Sequence, residues 1–277
     1  PVLSRPGRTH GGDAGRGQSR AACVAGAPSG VGFDIRPAVF DLLRFEQLLL
    51  PTECLLCHAL LGDREAHRIV CAICRQRWRT VRPPWCARCG QPAPLFGACR
   101  LCAAWPAALV SVRSAVWLAE GAQQAVHALK YGGLPRIADD LVRAMAPLRP
   151  AVDGPVALVP IPLATRRLRQ RGYNQSEVLA RALAREWRIP VIPDVLVRTR
   201  ETPTQTALTP ETRLANVAGA FSPRRGRGVS LGRMLVLVDD VFTTGATLAE
   251  AARALESAGA TRIHGVTFAR AAIPDFT

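Results

Sequence analysis

From Leu109 onward, blocks of apolar residues with two different spacings follow one another along the chain. Leu109 to Leu118 predicts a strand. Ala122 to Leu129 has helical spacing and is stopped by Gly132-Gly133. Pro135 to Ala146 predicts a further helix, bounded by Pro147. Val156 to Ile161 is an unbroken apolar run ended by Pro162, the pattern of a strand buried on both faces. Asn174 to Trp187 predicts a helix, and Val191 with Ile192 begins a short strand. Arg198 to Asn216 is polar and Thr-rich, and predicts a loop with a short helix. Met234 to Val238 predicts a strand, Thr247 to Ser257 a helix capped by Gly259, and Arg262 to Ala269 another strand. Strand and helix in alternation imply an α/β domain, a mainly parallel sheet flanked by helices, over residues 107–277. Upstream, Ala38 to Leu50 spaces its apolar residues like an amphipathic helix (residues 36–50). Residues 1–35 are Gly-, Arg- and Ser-rich without periodicity and predict a disordered leader. The start at Pro1 fits a truncated or mis-started frame.

Residues 51–106 lack a helix or strand period and carry cysteines instead. Of nine cysteines, eight form the C-x-x-C pairs Cys54/Cys57, Cys71/Cys74, Cys86/Cys89 and Cys99/Cys102. No export signal is visible, so disulfides are disfavoured. Each C-x-x-C offers two sulfurs from one tight turn to a tetrahedral ion, and two such turns close a structural zinc site. The simplest grouping is sequential, 54/57 with 71/74 and 86/89 with 99/102; interleaved pairing is the alternative. His58 and His67 are spare ligands. So short a segment has little core, and each metal would supply roughly 10 kcal/mol or more of folding energy.

The formal charge is +15, nearly all of it from arginine. Eight thiolates on two zinc ions would reduce it to about +11. Such a surface suits nucleic acid or a phosphorylated small molecule, though coding bias toward Arg and Ala produces the same composition. No membrane span is present: the nearest candidate, Ala103 to Ala119, contains Pro106 and Arg113. A cytoplasmic protein is expected.

The segment Leu235 to Thr247 reads LVLVDDVFTTGAT. Asp239 and Asp240 fall at the carboxyl end of a buried strand, where open α/β sheets place ligands. After Val241 and Phe242, the small residues Thr243, Thr244, Gly245, Ala246 and Thr247 open a helix. Such a loop offers backbone N–H groups, hydroxyls and the positive helix end to a phosphate monoester. The two carboxylates are then placed to accept hydrogen bonds from ribose hydroxyls. A plain N-capped helix, or the paired acids of a metal site, does not account for T-T-G-x-T four residues later.

A second segment, Val159 to Glu177, carries Arg166, Arg167, Arg169 and Arg171 in what reads as a basic loop after a strand. It suits diphosphate or a nucleic-acid backbone, or is simply a solvated turn. The chain has one lysine, Lys130, two tyrosines, Tyr131 and Tyr173, and two asparagines, Asn174 and Asn216. Four of these five lie in LKYGG and RGYNQ. A chain that otherwise writes Arg keeps Lys at one place, which suggests a compact ammonium reaching a phosphate.

Together these motifs resemble the ComF (ComFC) competence-protein family. They are the C-x-x-C module, HALKYGG (His127 to Gly133), VPIP, RRxRQRGYNQSEVLA (Arg166 to Ala180), TxTQTxLxxxxRxxNVxxAF (Thr202 to Phe221) and VLVDDVFTTGAT. The resemblance covers Pro51 to the C-terminus. It implies a type I phosphoribosyltransferase fold behind a double zinc ribbon, with Asp239 and Asp240 on ribose and Val241 with Thr243 to Thr247 around the 5-phosphate. Arg166, Arg167 and Arg171 would match the diphosphate side, and Gln205, Arg213 and Asn216 a mobile segment over the site.

Two functions follow. One is a protein of DNA uptake that binds phosphoribosyl diphosphate or a related ribose phosphate and engages single-stranded DNA or a DNA-processing partner. Trp78 and Trp85, beside Arg77, Arg79 and Arg82, are its stacking candidates, with packing around zinc as their other reading. The other is an active phosphoribosyltransferase using Mg²⁺ with the diphosphate, acceptor unspecified. A structural zinc adaptor with a decayed pocket is disfavoured by the intact motif.

Overall fold

The structure is a computed structural model and describes residues 52–62, 65, 67–92, 99–200, 217–224 and 233–272. The expected leader and amphipathic helix, and Gln205, Arg213 and Asn216, lie outside these residues.

Four parallel strands form the central sheet: β1 (Leu109–Trp117), β2 (Val156–Pro160), β5 (Met234–Phe242) and β6 (Ile263–Arg270), in the order β1-β6-β5-β2. The register sets Asp239 beside Thr267 and Phe242 beside Arg270. Val236 and Val238 of β5 pack into one core with helices α2 (Glu120–Tyr131), α3 (Ala138–Met145) and α5 (Gln175–Trp187). Leu235 and Leu237 enter a second core with α6 (Ala246–Ser257). Burial on both faces explains why β2 and the first half of β5 read as continuous apolar runs.

The paired strands β3 (Leu196–Arg198) and β4 (Phe221–Pro223) form a small antiparallel sheet. The strand expected at Val191 is a single parallel bridge to Leu158. The basic stretch read as a loop is a helix, α4 (Thr165–Arg171). Arg, Leu and Gln are good helix formers, and Gly172 closes the helix at φ 82° with its N–H on Leu168 O.

Ahead of the sheet lie two cysteine knuckle pairs and one short helix, α1 (Ala72–Gln76). The segment linking them runs along the outer edge of β1. Val81 N donates to Ala115 O, Trp117 N to Arg79 O and Val112 N to Arg88 O, at 3.0, 2.8 and 2.7 Å.

Candidate functional site

β5 delivers both acids to the site. Asp239 is 9 % exposed and Asp240 3 %. Asp239 Oδ1 accepts hydrogen bonds from Ser176 Oγ at 2.8 Å and from Asp240 N at 2.9 Å. Ser176 is held in place by Asn174, which caps α5 through Ser176 N (3.1 Å) and donates to Ile161 O at the end of β2 (3.0 Å). Burial pushes the Asp239 carboxyl up to about 7, and the neighbouring Asp240 charge adds to the rise. On the other side Lys130, in the last turn of α2, brings Nζ within 2.7 Å of Asp240 Oδ2. Burial alone would weaken the ammonium, but Asp240 outweighs it and the Lys130 pKa is raised.

Three residues beyond Asp240 the small-residue loop begins, and α6 starts at Ala246. Gly245 precedes the first helical residue at φ 78°, a conformation that favours glycine. Its carbonyl accepts from Ala249 N, and Thr244 Oγ1 accepts from Ala246 N at 3.4 Å. Thr244, Gly245 and Ala246 are buried, while Val241, Thr243 and Thr247 are half-buried. The acid pair thus lies on β5 shortly ahead of the loop that opens the twelve-residue helix α6.

The LKYGG and RGYNQ motifs, separate in sequence, touch. Tyr173 donates to Leu129 O at 2.6 Å, and the Arg171 guanidinium lies 5.3 Å from the Tyr131 ring centre. Arg171 also donates to Gln175 Oε1. The Arg171 end of α4 is therefore near the Lys130 end of α2. Arg167 is half-buried and Arg166 exposed on that helix. Two surface cavities of about 350 and 220 Å³ lie elsewhere, between α2 and the first knuckle pair, and share Leu56 and Gln124.

The eight cysteines gather as Cys54, Cys57, Cys71 and Cys74, and as Cys86, Cys89, Cys99 and Cys102, the sulfurs of each set within 4.8 Å of one another. This is the sequential grouping, and neither set contains His58 or His67. Sulfur pairs stand 3.8 Å apart for Cys57–Cys71, 3.7 Å for Cys86–Cys102 and 3.5 Å for Cys89–Cys99. A tetrahedral zinc with bonds near 2.3 Å requires about 3.8 Å between sulfurs, so the donor sets fit that ion. Burial raises the Cys54 thiol, but N–H groups of Cys71 and Leu56 outweigh this and leave it at about 7. Cys86 is also lowered to about 7, by N–H groups of Cys89 and Arg88 that outweigh its burial. In the same clusters burial pushes the Cys71, Cys74, Cys89 and Cys102 thiols up.

Arginines tie the second knuckle down. Arg88 donates to the carbonyls of Leu109, Cys102, Trp105 and Pro106, the last at 2.7 Å. The first knuckle is anchored through α3: Asp140, 1 % exposed, accepts from Ile69 N at 2.9 Å, Val70 N at 3.0 Å and Arg75 Nη1 at 2.9 Å. Sequence reasoning missed Asp140, Ser176 and Arg88. Only a cap-and-pair search across distant segments would have flagged them. It also offered Trp78 as a stacking surface. The ring is 7 % exposed and packs edge-on against Phe268 at 5.0 Å, which removes it from that role. Trp85 is half-buried, with Arg113 5.5 Å from its ring centre.

The model of the phosphoribosyl transferase domain matches residues 174–274, and that of the double zinc ribbon domain residues 45–104. The chain is 32 % identical over 223 residues to the DNA utilization protein YhgH of Escherichia coli K12, covering 78 % of this chain and 96 % of the relative. It is 38 % identical over 117 residues to competence protein F of Haemophilus influenzae, across 42 % of this chain and 51 % of that protein. Competence protein ComFC of Bacillus subtilis is 28 % identical over 200 residues, 69 % of this chain and 79 % of the relative. Among solved structures, the glutamine phosphoribosylpyrophosphate amidotransferase of Bacillus subtilis aligns over 47 % of this chain and 26 % of its own, at 23 % identity and a TM-score of 0.31. With its phosphoribosyl transferase domain behind two cysteine-only zinc sites, the chain belongs to the ComF (ComFC) family.

Proposed function

We propose that this protein binds phosphoribosyl diphosphate, or a related ribose phosphate, where β5 meets α6, and that it acts in the cytoplasmic handling of single-stranded DNA during natural transformation. One observation carries the first half: two buried carboxylates stand three residues ahead of a small-residue loop that opens a helix. The acids accept the ribose hydroxyls, and the amides and hydroxyls of Thr243 to Thr247 take the 5-phosphate. Lys130, Arg171, Arg167 and Arg166 lie on the side where diphosphate would extend. Mg²⁺ would arrive with that diphosphate and neutralise part of its charge. The relatives' names, DNA utilization and competence proteins, support the second half, as does the charge of +15. A DNA-processing protein is the natural second partner.

Calorimetry with phosphoribosyl diphosphate and Mg²⁺ tests the pocket, with Asp239→Ala plus Asp240→Ala as the control. Heat from the wild type alone is expected, and no heat from any phosphorylated ribose would sink the proposal. Binding of single-stranded DNA measured against salt tests the partner, because phosphate contacts weaken steeply as salt rises. An absence of binding at low salt would remove DNA from the account. The intact acid pair also suits an active phosphoribosyltransferase; diphosphate release over candidate acceptors separates turnover from ligand sensing.

A further inference from the structure

The second zinc ribbon packs against the loop Thr243–Gly245. Arg270, the last residue of β6, is fully buried. Its Nη1 donates to Cys89 O at 2.9 Å, and its Nη2 and Nε to Gln91 Oε1 at 3.0 and 3.3 Å. The same guanidinium lies 4.0 Å from the ring centre of Phe242, the residue just before Thr243. Trp105, three residues after the last ribbon cysteine, meets Phe242 edge-on at 6.2 Å. It also closes on Gly245: a Cβ there would stand 2.5 Å from Trp105 Cζ2 and 2.8 Å from the Phe242 ring. Arg88 holds the backbone of Trp105 through the Trp105 and Pro106 carbonyls, at 3.1 and 2.7 Å.

Two paths therefore leave the Cys86–Cys89 knuckle. One runs from Cys89 O through Arg270 to Phe242. The other runs from Arg88 through Trp105 to Gly245. They end on either side of Thr243 and Thr244. A buried guanidinium deprived of its acceptors is costly, so an open knuckle would leave Arg270 to seek other partners and release Phe242. The first ribbon is tied elsewhere, to Asp140 and, through Trp78, to Phe268.

We infer that Arg270 and Trp105 are positioning residues of the ribose-phosphate site, and that a metal held by Cys86, Cys89, Cys99 and Cys102 sets the shape of the loop Thr243–Gly245 through them. The inference rests on the reading that this loop takes the phosphate.

The test uses the full chain and two conservative variants, Arg270→Lys and Trp105→Phe. Zinc content and thermal melting establish that each is metallated and folded. The affinity for phosphoribosyl diphosphate with Mg²⁺ is then measured by calorimetry. A loss of about tenfold in each variant is expected, equivalent to about 1.4 kcal/mol. Tryptophan emission supplies an independent signature: it should shift on ligand addition in the wild type and not in Trp105→Phe. Should Arg270→Lys fail to fold, Trp105→Phe carries the test alone. If the wild type itself takes up no phosphoribosyl diphosphate, the phosphate reading fails and the inference with it. If the wild type binds and every folded variant binds within about twofold of it, the phosphate reading stands and the positioning role is overturned.

Discussion

Lys130 Nζ lies 2.7 Å from Asp240 Oδ2, with side chains 24 % and 4 % exposed, so the cation sits on an acid that is expected to receive ribose. Removing one partner of a buried pair strands the other charge. Lys130→Ala should therefore lower stability by about 3 kcal/mol, the small end of the range for buried pairs because Lys130 is partly exposed. Urea denaturation reads this directly. Lys130→Arg keeps the charge and should retain more stability while weakening phosphoribosyl diphosphate binding, because a guanidinium is larger and differently hydrated. Unchanged affinity in Lys130→Arg would take Lys130 off the phosphate side.

Asp239 makes stability depend on pH in an unusual direction. Its carboxyl titrates near 7 in the folded chain, against about 4 in an unfolded one. Between those values the folded state holds a proton that the unfolded state has released, so stability falls as pH rises from about 4 to 7. Asp239→Asn removes this slope. The melting temperature of the variant relative to wild type should climb across that window and level off above about 7, by roughly 2–4 °C per kcal/mol. A constant difference from pH 4 to 8 would show that Asp239 ionises normally.

Asp140 is the anchor of the first ribbon. Asp140→Ala would leave the amides of Ile69 and Val70 and the Arg75 guanidinium without this acceptor. A loss of about 2–4 kcal/mol is expected, and chelators should strip zinc faster from Cys54, Cys57, Cys71 and Cys74 than in wild type. Zinc release followed with a colorimetric indicator checks this; an unchanged release profile would contradict the anchoring role.

Gly245→Ala places a methyl group into Trp105 and Phe242 at a positive φ. A destabilisation of about 1–3 kcal/mol is expected, together with loss of ribose-phosphate binding in the protein that remains folded. Calorimetry at a temperature well below the melting point separates the two effects.

Much of this architecture could be read from the chain. Val156–Pro160 and the Met234–Val238 part of β5 are apolar because both faces are covered, and their spacing revealed them. Leu109–Trp117, an edge strand carrying Ser111, Arg113 and Ser114, is covered only in part. The knuckles were legible because a C-x-x-C turn is local, and the sequential grouping follows from short tethers. The basic stretch at Thr165–Arg171 was misjudged because a run of like charges masks helix propensity, and its seven residues are too short to display a period. Asp140 and Arg270 escaped notice for another reason. Their partners lie far along the chain, Ile69 and Val70 for one and Cys89 and Gln91 for the other, and nothing local in sequence announces a long-range acceptor. Lys130 was singled out by rarity as a cation for a phosphate, whereas in the structure its ammonium rests on the Asp240 carboxylate.

The segment that lies along β1 has a further consequence. Amide and carbonyl groups of Val112, Ala115 and Trp117 are occupied by Arg88, Val81 and Arg79, in a strip tethered at each end by a cysteine knuckle. Stripped of metal, the outer strand would present a bare row of donors and acceptors to any second copy of the chain. Zinc-starved protein is therefore expected to self-associate along this edge and to scatter light before it melts.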